Sequence, residues 1–139
     1  AVTGGGARLN GLPMQPSAQA EIADCAMIGD AGFFSHPAWP EPWPAMRLAS
    51  RNATALRMCL VGAGEFDATV TLAPKADWDV AAADLIAREA GAVVLDHKGG
   101  RFAYNRADAR QLSLVCAGPA LAPLILSRTA PIDLPRSTP

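Results

Sequence analysis

The 139-residue sequence has few cysteines and histidines, almost no net charge and no long apolar run, and each shortage removes a class of explanation. Its three cysteines, Cys25, Cys59 and Cys116, are odd in number, lack CxxC spacing and lie in or beside apolar runs. Zinc sites and disulfide frameworks need the opposite arrangement, so buried free thiols in a reducing compartment are expected, with a cytoplasmic location. His36 and His97 have no second His or Cys at ligand spacing, and both read as ordinary loop histidines. A formal net charge of −1 gives no reason to expect nucleic acid or an anionic membrane as partner. No stretch approaches the ~20 apolar residues of a membrane helix, and the start has neither a basic n-region nor a signal-like core.

What is present is enough for a core: 50% of the residues are apolar, in a chain of single-domain length. In chain order, Ala1 to Thr3 and Ala7 to Leu9 read as extended, and Asn10-Gly11 is a strong hairpin signal. Glycines 4 to 6 permit a bulge or close backbone approach. They lack the following helix and the Lys-Ser/Thr of a phosphate loop, which favours the structural reading. Cys25 to Ile28 is a short apolar strand. From Gly32 to Ala45, prolines 37, 40, 42 and 44 forbid regular structure and leave Phe33, Phe34, Trp39 and Trp43 in a loop that either shields a site or partner, or covers a sheet edge.

Ser50 or Asn52 is the expected N-cap of a helix whose apolar face is Leu56, Cys59, Leu60 and Ala63. Ala68 to Leu72 alternates as a strand, and Ala92 to Leu95 and Leu114 to Ala117 are compact apolar runs typical of buried strands. Pro119 opens a last helix through about Leu126, and residues 129–139 read as a loose tail. The divisions that follow are 1–48, the end of one sheet region plus a Pro-rich loop; 49–128, an α/β unit; and the tail.

Between these elements lies PKADWDVAAADLIAREAG, Pro74 to Gly91, where two acids stand at the start of an alanine-rich helix. Asp77 has the position of an N-cap, while Asp79 points outward at a positive helix end, where an ionised carboxylate suits a hard metal ion. From spacing alone, capping explains both acids at least as well as metal binding. Val80, Ala83, Ile86 and Ala90 follow core spacing, Ala81 and Ala82 permit close packing, and Gly91 is the left-handed stop. Lys75 lies nearby as a point charge for a phosphate or as a solvated lysine.

Read as a pattern, WDVAAADLIAREAG resembles the C-terminal half of the inositol monophosphatase family. LRMCLVGAGEFDATV precedes it, VVLDHKGGRF follows it, and GGGARLNG and LVCAG lie further out in the same order. The resemblance covers most of the chain. It implies a layered αβαβα sugar-phosphatase-like sandwich, of which this α/β chain is the C-terminal half with mixed strands and three helices. It implies a magnesium-dependent phosphomonoesterase acting on inositol phosphates or related small phosphomonoesters by a metal-activated water, and a homodimer. Asp79 then binds magnesium and substrate, and Asn52, Ala53 and Thr54 line the substrate pocket, with Lys75 beside it. A 3'(2'),5'-bisphosphate nucleotidase is the alternative within the same chemistry, and a noncatalytic fragment or binding module the alternative of another class.

Three departures qualify the carry-over. The family's glutamate and Asp-Pro-Leu-Asp-Gly-Thr ligands precede the Gly-rich hairpin, and no such motif occurs here, so half of an enzyme is expected, with the N-terminal half of the same protein as partner and the isolated chain inactive. Asn52 replaces a family glycine. Leu72 stands where many inositol phosphatases have a substrate-contacting glutamate.

Overall fold

A computed structural model describes residues 1–134. A five-stranded sheet forms the centre, built from β3 (Ala26–Ile28), β4 (Arg47–Ala49), β5 (Ala68–Thr71), β7 (Val93–Leu95) and β9 (Leu114–Ala117). Its spatial order is β4-β3-β5-β9-β7, with β3 parallel to both β4 and β5 and the pairs β5–β9 and β9–β7 antiparallel. Two short ladders flank it: β1 (Arg8–Leu9) with β2 (Leu12–Pro13), and β6 (Lys75–Ala76) with β8 (Arg110–Gln111). Helices α1 (Ala31–Phe34), α2 (Thr54–Gly62), α3 (Asp77–Ala90) and α4 (Ala122–Thr129) complete the described residues.

Strand β9 shows why the sheet sits in the middle. Val115 and Ala117 join a core with Met27, Val70, Leu121 and Ile125 on the α4 side, whereas Leu114 and Cys116 join Met58, Val61, Val80 and Val94 on the α2–α3 side. Both faces are covered, so every position of the strand is apolar and buried. Each such aliphatic side chain contributes roughly 1.5–3 kcal/mol by leaving water. The thiols behave as part of this core: Cys25 and Cys116 are buried and Cys59 partly so. Burial, with Asp67 nearby, pushes the Cys25 thiol up to about 11.

The Asn10-Gly11 turn joins β1 to β2 with both residues at positive φ, 51° and 83°, as a tight primed hairpin turn requires. Gly91 closes α3 at φ 101°, donating to the carbonyls of Ala87 and Arg88. Helices α2 and α3 run in the same direction, because β5 returns the chain between them and their C-terminal ends touch. A Cβ added at Gly62 would lie 3.3 Å from the Ala87 Cα and 3.4 Å from the Ala90 Cβ.

Several expectations need correction. There are four helices among the described residues, not three: α1 interrupts the proline-rich loop, capped by the Asp30 carboxylate, which accepts from the Gly32 amide at 3.0 Å. Helix α2 buries Met58, Val61 and Gly62 and leaves Leu56 exposed, because close approach to α3 selects its glycine-bearing face. On α3, Ala87 rather than Ile86 is fully buried, and Ala82 is exposed. Helix α4 starts at Ala122, three residues after Pro119. Within the expected tail, residues 129–134 are anchored: the buried Thr129 hydroxyl donates to the His97 carbonyl at 2.9 Å, and the Ile132 carbonyl lies 3.0 Å from His97 Nε2. Residues 135–139 lie outside the described residues.

No helix among the described residues is long and apolar enough to cross a membrane.

Candidate active site

The matched C-terminal ends of α2 and α3 fix the register of their N-terminal ends. Eight residues back from Gly62 along α2, about 12 Å at 1.5 Å per residue, is Thr54. The same distance back from Ala87 to Ala90 along α3 reaches Asp79 to Ala82. Asn52, Ala53 and Thr54 therefore share one end of the helix layer with Asp77 and Asp79, and β6 delivers Lys75 to that same end.

Neither helix start is capped as the sequence suggested. The N-cap of α3 is Ala76, without a side-chain cap, and Asp77 is the first helical residue. Asp77 is committed elsewhere: its amide donates to the Ala109 carbonyl at 2.9 Å, continuing the β6–β8 ladder into the helix, and its carboxylate accepts from Gln111 Nε2 at 2.7 Å. Gln111 donates also to the Ala103 carbonyl at 2.9 Å and is buried. The N-cap of α2 is Ala53, not Ser50 or Asn52, again with no side-chain cap. Ala53 sits at φ 66°, ψ 110°, which strains a residue bearing a Cβ by about 1–3 kcal/mol. Neither helix start has a side-chain cap, so each leaves first-turn backbone N–H groups at a positive dipole end, a feature suited to an anion.

In that field Asp79 is exposed and makes no hydrogen bond or ion pair among the described residues. Trp78, beside it, is 79% exposed. Lys75 is half-buried, Asn52 and Ala53 are exposed, and Thr54 is half-buried.

Asp79's carboxylate is a hard oxygen donor, the type magnesium takes. The number of donors falls short, since no group of three or more His, Cys, Asp or Glu among the described residues is placed to hold a metal ion. This end of the chain fits one ligand of a metal site.

Other polar residues stabilise the scaffold. Asp84, 7% exposed, accepts from Arg88 Nε at 2.5 Å and from the Tyr104 hydroxyl at 3.0 Å, while Arg88 also donates to the Val94 carbonyl at 2.6 Å. Burial, then the Asp84 charge and hydrogen bond, push the Tyr104 phenol well above its ordinary range. The glycine-rich turn holds an anion after all, an internal one: Gly4 and Gly6 donate to the two oxygens of Glu89 at 2.8 and 2.9 Å. His97 is buried, with Nδ1 2.7 Å from the Ser113 hydroxyl, and holds structure together. Sequence reasoning missed Gln111 and Glu89, whose partners are 34 and 83 or more residues away. It also missed Asp84, which its i,i+4 spacing to Arg88 signals.

A sheet buried on both faces, with helices packed against it, defines a layered α/β unit. The family model of the inositol monophosphatase family matches residues 1–132. The Nus factor SuhB of Pasteurella multocida is 30% identical over 139 residues, covering 94% of this chain and 50% of that protein. Inositol monophosphatase 1 of Bos taurus is 34% identical over 109 residues, covering 71% and 39%. Among solved structures, SaIMPase-II superposes with a TM-score of 0.76 at 16% identity, both with inositol monophosphate and with 2'AMP bound. The two cover 94% of this chain and 52% and 51% of the solved chain. The chain belongs to the inositol monophosphatase family, and its fold is that of the family's C-terminal half. It spans about half the length of the first relatives it matches. The family is generally metal-dependent and acts on small phosphate esters.

Proposed function

We propose that this chain is the substrate-facing half of a magnesium-dependent phosphomonoesterase that hydrolyses inositol phosphates or related small phosphomonoesters with a metal-activated water. The reading rests on one contrast. Asp77 and Asp79 are two residues apart, yet Asp77 is tied to Gln111 while Asp79 is exposed and unpartnered among the described residues.

In this reading Asp79 supplies one carboxylate to the metal, and the remaining ligands come from the part of the family fold outside this chain. Bound magnesium supplies a more acidic water and neutralises charge on the leaving oxygen. The chain's own residues do the positioning. The first-turn amides of α2 and α3 receive phosphate oxygens, Lys75 adds a point charge, and Asn52, Ala53 and Thr54 wall the substrate. The Asn52 side chain narrows the space that a glycine would leave, and with Leu72 this favours relaxed discrimination among inositol phosphates.

Two other readings have support. SaIMPase-II was solved with 2'AMP bound, which favours a 3'(2'),5'-bisphosphate nucleotidase within the same chemistry. The Nus factor SuhB relative, together with the incomplete ligand set, favours a noncatalytic binding module.

The test is complementation. The isolated chain with magnesium is expected to show negligible hydrolysis of inositol monophosphates, sugar phosphates and bisphosphorylated nucleotides, and adding the ligand-bearing half is expected to produce turnover. Robust magnesium-dependent hydrolysis by the isolated chain, free of contaminating phosphatase, would show the ligand set to be misassigned. Silence of the reconstituted protein on the whole panel would support the noncatalytic module.

A further inference from the structure

We propose that the cleft lined by Phe33, His36, Ala38, Trp39, Leu72 and Ile132 is a specificity pocket for a flat aromatic ring. The ring belongs to the leaving group of the phosphomonoester, as a nucleobase or a phenyl-type group. Its link to a phosphate ester rests on the phosphatase reading above; the affinity for the ring does not.

The cleft has a volume of about 150 Å³, and among the described residues no acid, amine, guanidinium or hydroxyl side chain lines it. The cleft is open to solvent, and its apolar lining favours a flat ring that leaves water for it. A polyol placed there would give up hydrogen bonds to water and find almost none in return.

The walls are pre-set. The Trp39 indole N–H donates to the Phe33 carbonyl at 2.7 Å, so the indole's own polar atom is satisfied. The Trp39 ring packs edge-on against Phe33 and Trp43, with centroids 5.1 and 5.2 Å away. A ligand ring therefore meets an ordered aromatic wall and does not have to order it, which favours binding. His36 Nδ1 accepts from the Ala38 amide at 3.1 Å, which leaves the proton of the neutral ring on Nε2. The exposed His36 then offers one donor to a ring nitrogen or carbonyl, which a phenyl group lacks and a nucleobase has.

The pocket is within reach of the phosphate-receiving end. Leu72 precedes Lys75 by three residues, so their Cα atoms are at most about 11 Å apart. Lys75 leads through Ala76 directly into α3. Leu72 and Trp39 thus set the leaving-group preference from loop positions, Leu72 just past the end of β5, that carry no catalytic chemistry themselves.

The experiment uses the 139-residue chain with neither metal nor phosphate, so it is independent of turnover. Adenosine, phenol and myo-inositol are titrated separately while backbone and indole N–H resonances are followed by NMR. The expected result is saturable shifts at Ala38, Leu72 and the Trp39 indole with a ring compound, at an affinity at least tenfold tighter than for myo-inositol. Tighter adenosine binding that weakens in His36→Ala identifies a nucleobase pocket; equal binding of phenol and adenosine, indifferent to His36→Ala, identifies an aryl pocket. Leu72→Glu is expected to weaken ring binding at least tenfold, and Leu72→Met to retain it. If Leu72→Glu misfolds, intermolecular NOEs from ligand ring protons to the Leu72 methyls and Trp39 in the unaltered chain serve instead. Absence of saturable shifts with both ring compounds, equal binding of myo-inositol, or NOEs confined to other residues overturns the proposal. Hydrolysis of no substrate by the reconstituted protein, with ring binding intact, overturns the phosphatase reading alone.

Discussion

The two ends of α3 each carry an exposed or half-exposed carboxylate, and their surroundings are opposite. At the C-terminal end, Glu89 opposes the negative end of the helix dipole, which is unfavourable by itself. Amides of Gly4 and Gly6 offset this, each donating to one oxygen, and hold the carboxyl below its usual range. At the N-terminal end, Asp79 sits where the dipole is favourable and has no partner among the described residues. Among the described residues the fold thus satisfies the badly placed carboxylate and leaves the well placed one exposed, which is the contrast the proposed role of Asp79 rests on.

The largest effect expected from breaking this contrast is at Asp79. In the reconstituted protein, Asp79→Asn removes the charge that the proposed metal site requires while keeping the shape. If this ligand accounts for several kcal/mol of transition-state stabilisation, turnover falls on the order of 10³-fold. Melting temperature without metal should change little, because Asp79 makes no hydrogen bond or ion pair among the described residues. Asp77→Ala is the matched control. It takes one of two acceptors from the buried Gln111 amide, costing about 1 kcal/mol and a few degrees of melting temperature, with magnesium-saturated turnover largely kept. Steady-state kinetics and thermal unfolding of the two variants read both effects, and inactivity of Asp77→Ala with normal Asp79→Asn reverses the assignment.

A smaller effect is expected where the helices meet. Gly62→Leu forces a side chain into the contact with Ala87 and Ala90, and overpacking of this kind costs roughly 1–3 kcal/mol. Denaturant titration of the chain measures it. An unchanged midpoint would mean that α2 and α3 are not held in the register that brings Thr54 level with Asp79.

These residues also show what was legible in advance. Strand β9, the Asn10-Gly11 hairpin and the Gly91 stop are encoded by neighbours within a few residues, and each appears as the sequence predicts. Helix faces were less legible. Leu56, Met58, Cys59, Leu60 and Val61 make α2 apolar most of the way round, so periodicity cannot choose a face; the small Gly62 chooses it by admitting α3. Capping failed for a similar reason. The carboxylate of Asp77 has the right spacing to cap α3, but Gln111, brought alongside by the β6–β8 ladder, binds it instead. At the candidate site the exposed first-turn position of Asp79 was readable from its motif. The partnership of Leu72 with Trp39 was not, because 33 positions separate them and only the folded loop joins them.

The smallest effect is local and tests the anchored end. Glu89→Gln removes the charge that the Gly4 and Gly6 amides meet, so the hairpin should loosen while the core and Asp79 remain as they are. Hydrogen exchange at Gly4 and Gly6 should accelerate relative to their intrinsic rates, with β5 and β9 amides unchanged. The pH dependence has a definite sign. A carboxyl whose folded pKa is depressed contributes stability above its unfolded value, about 4.3, and that contribution is lost as pH falls through the lower folded value. Protection of Gly4 and Gly6 in the unaltered chain should therefore persist at neutral pH and decline below about pH 4, whereas in Glu89→Gln it should be low and nearly flat across the same range. Equal protection in the two proteins at pH 7 would remove Glu89 as the anchor and, with it, the contrast between the two ends of α3.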